Sequence, residues 1–159
     1  MIAVPVLELT TEIHAPAARC FDLARSVELH TTSTAHTGER AIAGVTRGLL
    51  GPGDEVTWRA RHLGVWQQLT SRITLFDPPH RFRDSMVRGA FARFDHDHFF
   101  NEHAGVTTMR DVFDYTSPLG PLGRLADVLL LAAYMRRFLA TRNAELRRVA
   151  ESDEWRALL

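Results

Sequence analysis

The chain has 159 residues, enough for one domain with a buried core, and its 45% apolar and 24% charged residues are those of a globular protein. Its formal net charge of zero argues against a bulk electrostatic grip on nucleic acid or an anionic membrane. All 19 basic residues are arginine, which excludes lysine Schiff-base chemistry and a phosphate-loop lysine, and the single Cys20 excludes an intrachain disulfide and cysteine-rich zinc sites.

The opening MIAVPVLELTTEIHAP lacks the basic region and apolar core of a signal peptide. Within it, Val6 to Ile13 alternates as a first strand. Ala15-Pro16 then opens a helix, since proline is tolerated at a first helical position. Cys20, Phe21, Leu23 and Ala24 give that helix an apolar face, with Cys20 as a small buried hydrophobe. The small, polar stretch SVELHTTSTAHT (26–37) reads as a short second helix or loop.

From Glu39 to Thr116 the hydrophobic period becomes two. Turns at GLLGPGD (48–54), HLGV (62–65), FDPPH (76–80), RGAF (88–91) and NEHAGV (101–106) divide it into six strands. GLLGPGD lacks the Gly-Lys-Ser/Thr of a phosphate loop and is a turn. After Ser117-Pro118 a helical period sets in: Leu125, Val128, Leu129, Ala132, Met135, Leu139, Leu146 and Val149 mark a long amphipathic helix ending near Glu151. The longest apolar run, ADVLLLAAYM (126–135), is far short of the ~20 residues that span a bilayer, so no integral membrane segment and a cytoplasmic location are expected. Residues 1–151 form the domain, and 152–159 read as a short, frayed tail.

The order strand, helical segment, six strands, long helix defines an α+β fold. A curved, seven-stranded antiparallel sheet wrapped around the C-terminal helix buries both apolar surfaces.

The alternation also sets which face is inside. Arginine is almost never buried without a partner, and in four strands the arginines fall opposite the aromatics. The inward sets are Val56, Trp58, Ala60 and His62; Leu69, Ser71, Ile73 and Leu75; Phe82, Asp84 and Met86; and Met109, Asp111, Phe113 and Tyr115. The same rule applied to FDHDHFF points Phe94, His96, His98 and Phe100 inward, and leaves Phe99 outside beside Asp95 and Asp97. Buried polar groups without partners cost roughly 1–3 kcal/mol each, so a core built for stability alone would avoid inward His62, Asp84, His96, His98, Asp111 and Tyr115. Apolar walls with a few convergent polar groups describe a small-molecule cavity.

With EIHAPAARCFDLARSVELH, TGERAIAGVTRGLLGPGDEVTWRARH, LTSRITLFDPPHRFRDSMVRGAF, FDHDHFF, TTMRDVFDYTSPLGPLG and LADVLLLAAYMRRFLATRN in this order, the chain resembles the SRPBCC superfamily over residues 4–150. These are the START-like and birch-pollen-allergen-like helix-grip proteins, here of the polyketide cyclase/dehydrase-like branch. The resemblance implies a sheet gripping the C-terminal helix around a deep hydrophobic cavity. It carries over no catalytic residue, because the superfamily spans lipid carriers, hormone receptors and aromatase/cyclases.

The resulting reading is a binder of a hydrophobic, lipid- or polyketide-like small molecule. Its apolar lining is Trp58, Leu69, Ile73, Phe82, Met86, Phe94, Phe100, Met109, Phe113, Met135 and Leu139; its polar anchors are His62, Asp84, His96, His98, Asp111 and Tyr115. The rival is a cofactor-independent cyclase or dehydratase in which Asp84 or Asp111, paired with His96 or His98, transfers protons and Tyr115 polarises a carbonyl. A third class is a regulatory or stress-related protein acting through partner contacts. His-x-His spacing suits a metal, but the further ligands would come from strands of unknown register, so neither metal nor cofactor is assigned. His14, His30, His36 and His103 read as solvated, with His30 also a candidate for the cavity mouth. The arginine pairs at 136–137 and 147–148 read as a solvated helix face. A nucleic-acid partner is not expected, and a homodimer is left open.

Overall fold

The computed structural model describes residues 6–118 and 130–159. Strand β1 (Val6–Ile13) is followed by helices α1 (Ala17–Ala24) and α2 (Val27–Ser33) and a 3-10 turn at Ala35–Thr37. Six strands follow: β2 (Arg40–Gly44), β3 (Glu55–His62), β4 (Val65–Asp77), β5 (Arg81–Arg88), β6 (Arg93–His103) and β7 (Val106–Thr116). The last helix, α3, spans Ala132–Ala150. The sequence positions Leu125, Val128 and Leu129 expected on this helix lie outside the described residues.

The seven strands form one antiparallel sheet in the order β1-β7-β6-β5-β4-β3-β2. It is a meander from β2 to β7 that β1 closes on the β7 side. Two of its hairpins are tighter than the sequence reading placed them. Leu63-Gly64 and Ala104-Gly105 carry successive positive φ values (50° and 80°, 50° and 79°), the two-residue turn whose twist matches the flanking strands. The β4–β5 register shifts near Ser71 and again between Ile73 and Leu75, irregularities that bend a sheet.

Local chemistry fixes the helices against the concave face. The Ala17 amide at the start of α1 donates to Glu102 of β6 (2.8 Å), and Ser26 caps α2 by accepting from the Leu29 amide (3.2 Å). Helix α3 lies against β1, α1 and α2. The C-terminal residues are not frayed. Glu154–Ala157 form a 3-10 turn, and Trp155 and Leu158 pack on the core with the Arg19 guanidinium 4.2 Å over the Trp155 ring.

The inward faces are those expected from the arginines: Val56, Trp58, Ala60, Phe82, Phe94, His96, His98, Phe100, Met109, Asp111, Phe113 and Tyr115 are all buried. Outward Phe99 finds cover between cations, with Arg81 at 4.8 Å and Arg110 at 4.4 Å from its ring. Outward Asp97 is buried beneath Arg81 and Arg83, which both bond it at 2.8 Å.

Candidate functional site

The interior is not one apolar mass. Phe94, Phe113, Tyr115, Met135 and Leu139 belong to one buried cluster; Phe82, Phe100, Met109 and Leu146 belong to another. In each element the residues between the two clusters are polar: His96 and His98 on β6, Asp111 on β7, Arg142 and Asn143 on α3. A polar layer therefore crosses the core from sheet to helix.

Strand register assembles it. Asp84 stands opposite His96 and Asp111 opposite His98, and each carboxylate also reaches the other histidine. His96 Nε2 is 3.0 Å from Asp111 Oδ1, and His98 Nε2 is 3.0 Å from Asp84 Oδ1. His98 Nδ1 also lies 2.8 Å from Asp111 Oδ1, an ionic contact off the direction of a hydrogen bond. The Asn143 amide donates to Asp111 Oδ2 at 2.6 Å.

Burial disfavours charge on all four groups, and the pairing decides which keep it. For His98, the nearby Asp111 and Asp84 outweigh desolvation and raise its pKa. For His96, desolvation and the charge of His98 win, and its pKa falls. Against the same desolvation the histidines hold Asp84 down to about 2, and Asp111 well below the usual carboxylate range. The surroundings therefore favour charge on both carboxylates and on His98 and disfavour it on His96, with the Arg142 guanidinium as a further positive charge beside them.

One side of this layer opens on a cavity of about 420 Å³, within the range of small-molecule sites. Twelve predicted residues line it: Trp58, His62, Leu69, Ile73, Phe82, Asp84, Phe94, His96, His98, Phe113, Met135 and Leu139. Five do not. Phe100 and Met109 pack in the cluster beside α1, and half-buried Met86 packs against the outer cluster. Asp111 lies behind the two imidazoles, wholly buried. Tyr115 is wholly buried, stacks on Phe113 with ring centroids 5.3 Å apart, and does not line the cavity.

A second polar group lies elsewhere on the wall. His62 Nδ1 shares a hydrogen bond with the Tyr134 hydroxyl (2.6 Å), and His30 Nε2 meets Glu39 Oε1 at 3.2 Å while stacking on Trp58. His30 is thus a half-buried cavity residue rather than a solvated one; His14, His36 and His103 are exposed. Glu39 is buried, yet its Oε2 has no hydrogen-bond partner among the described residues. The sequence reading did not nominate Glu39, Tyr134, Phe138 or Arg142, all of which line the cavity. For Arg142 a signal exists: it shares the helical stripe of Met135, Leu139 and Leu146, where a solvated arginine does not belong.

A curved sheet closed over one long helix, with a ligand-sized cavity between them, defines the helix-grip class. The chain belongs to the polyketide cyclase / dehydrase and lipid transport family, whose model matches residues 5–151. Its fold is shared with the Zhui aromatase/cyclase from Streptomyces, at 17% identity and a TM-score of 0.74, covering 92% of this chain and 93% of that one. A START superfamily protein from Mycobacterium smegmatis superposes with a TM-score of 0.68 at 11% identity, over 91% and 98% of the two chains. The ginseng major latex-like protein 151 from Panax ginseng gives 0.65 at 14% identity, over 93% and 98%. No curated protein matches the sequence. Among the described residues no helix is long and apolar enough to cross a membrane.

Proposed function

We propose that the protein binds a hydrophobic small molecule, lipid- or polyketide-like, between the sheet and α3. The observation that carries this reading is the cavity of about 420 Å³ with aromatic and aliphatic walls and a charged floor. A site filled only for stability would not leave such a volume beside Asp84, His96 and His98. The apolar walls supply the driving force for uptake, at roughly 25 cal/mol per Å² of ligand surface removed from water. The two polar groups orient the ligand. The family description, which names both cyclisation and lipid transport, supports this class of ligand. The same reading carries a cytoplasmic location and no nucleic-acid partner; sedimentation decides between monomer and homodimer.

Titration with a neutral fluorescent probe such as N-phenyl-1-naphthylamine tests it. Saturable one-to-one binding is expected, weakened at least tenfold by Leu139→Trp, which fills the cavity from α3. A featureless titration, or equal affinity in the filled variant, would count against the reading.

A second reading, a cofactor-independent cyclase or dehydratase, rests on one observation. The His98 ring is held between two carboxylates at the cavity floor, and their charge raises its pKa beside an apolar chamber. Asp84, held ionised, then acts as acceptor and not as acid. His98→Gln would abolish turnover with little loss of affinity in an enzyme, and would mainly weaken binding in a carrier.

A further inference from the structure

Hydrogen bonding alone leaves the arrangement of the two imidazoles half explained. Each turns one nitrogen to the same buried oxygen: His96 Nε2 and His98 Nδ1 lie 3.0 and 2.8 Å from Asp111 Oδ1. An ionised carboxylate only accepts, so neutral His96 carries its proton on Nε2 and leaves Nδ1 as a bare lone pair. That Nδ1 lies 3.9 Å from Asp84 Oδ1, which His98 Nε2 approaches to 3.0 Å. Asp84, His96 and His98 each offer a ligand atom within 4.8 Å of the other two. Donors at ~2.1 Å from a tetrahedral ion stand roughly 3.4 Å apart, so the two Asp84 distances bracket a metal polyhedron.

Two further features separate this cluster from an ordinary ion-pair network. Metal-bound histidines almost always donate their second N–H to a carboxylate or carbonyl, which fixes the ring. Here Asp111 Oδ1 accepts from His96 Nε2 and lies 2.8 Å from His98 Nδ1, and the same carboxylate is held by the Asn143 amide at 2.6 Å. All three residues line the cavity, and the Asp84 side chain is 22% exposed. Coordination positions not taken by protein would open into the chamber, as catalytic sites require.

We propose that Asp84, His96 and His98 form a two-histidine, one-carboxylate site for a divalent transition-metal ion, with Asp111 as the positioning residue for both imidazoles. The nitrogen-rich donor set favours zinc, iron or cobalt over calcium or magnesium. On entry the ion forms bonds to His96 Nδ1, His98 Nε2 and Asp84 Oδ1. The proton on His98 Nε2 leaves to solvent, while His98 keeps the proton facing Asp111. Asp84 and Asp111 balance the two metal charges, and Arg142 remains as excess positive charge beside them. The open positions therefore suit an anionic oxygen ligand such as an enolate, phenolate or carboxylate, which would meet both the ion and Arg142.

Cobalt and zinc salts alone serve as probes. Protein stripped with EDTA is titrated with Co2+ while its visible absorption is recorded, and Zn2+ affinity is measured against a chromophoric chelator. One equivalent of Co2+ should give a visible band that Zn2+ abolishes. Asp84→Asn and His98→Gln should weaken Zn2+ binding by roughly 100-fold or more, and Asp111→Asn by roughly 10- to 100-fold with an altered cobalt band. His14→Gln and His103→Gln, at exposed positions, should change nothing. Circular dichroism checks the fold of each variant, and if His98→Gln does not fold, Asp84→Asn at the cavity wall decides alone. Zn2+ binding weaker than about 10 μM, or undiminished in Asp84→Asn, would overturn the proposal. Naphthylamine binding by the EDTA-stripped protein keeps the two claims separable, since uptake of that probe requires no metal.

Discussion

Replacing Asp111 by asparagine probes the polar layer with almost no change in volume. Wild-type Asp111 faces two histidines through Oδ1 and accepts the Asn143 amide through Oδ2. An asparagine can present its oxygen to only one side. If its NH2 faces Asn143, two donors meet; if it faces the histidines, it opposes the Nε2–H of His96. Either choice leaves a buried donor unsatisfied, at roughly 1–3 kcal/mol. The substitution also strips His98 of one of its two anions, and breaking a buried ion pair costs about 3–5 kcal/mol. Asp84 remains on the other side of the ring, so the expected total is near the lower end, about 3 kcal/mol. For a chain of this size that corresponds to a fall of roughly 6–12 °C in Tm. Urea unfolding of metal-free protein, followed by circular dichroism, measures it directly. A loss below about 1 kcal/mol would show that His96, His98 and Asn143 do not depend on this carboxylate.

Further outcomes follow from the same geometry. In metal-free protein, His98 has a raised pKa, so its contribution is complete below about pH 6.5 and is lost as pH rises through its folded value. His96 and His62 have lowered values, so stability falls as pH drops below about 6.5 through theirs. Unfolding free energy between pH 5 and 8 should therefore peak near 6.5, and a monotonic profile would contradict the assigned charges. Cys20, whose pKa burial pushes up to about 11, should react with iodoacetamide at neutral pH roughly 100-fold more slowly in the folded protein than in urea. Gly44→Ala should destabilise by about 2 kcal/mol or more, because φ there is 71° and the added methyl would strike the Glu55 carbonyl oxygen; a neutral unfolding result would show that the β2–β3 edge yields.

The inward faces were legible because arginine is so rarely buried: one charged residue per strand was enough to orient it. FDHDHFF was the harder case, since Phe99 had no visible cover. Its cover comes from register, with Arg81 and Arg110 directly opposite on the two neighbouring strands, and register is not written in one strand. Direction also says nothing about depth. Asp111 and Asp84 both point inward, yet one lies behind the histidines and the other at the cavity wall, a distinction made by sheet curvature and by where α3 crosses. Glu39 precedes β2 and had no alternating neighbours to orient it. Arg142 and Asn143 are a different case. On α3 an arginine and an asparagine interrupt the apolar stripe running from Met135 to Leu146, and both are buried.

Native mass spectrometry of gently purified protein, wild type beside Leu139→Trp, tests the central claim most directly. The cavity reading predicts an added mass of several hundred daltons on the wild-type chain, released on denaturation and missing from the filled variant. Bare chain mass in both, persisting after incubation with a neutral apolar probe, would contradict it.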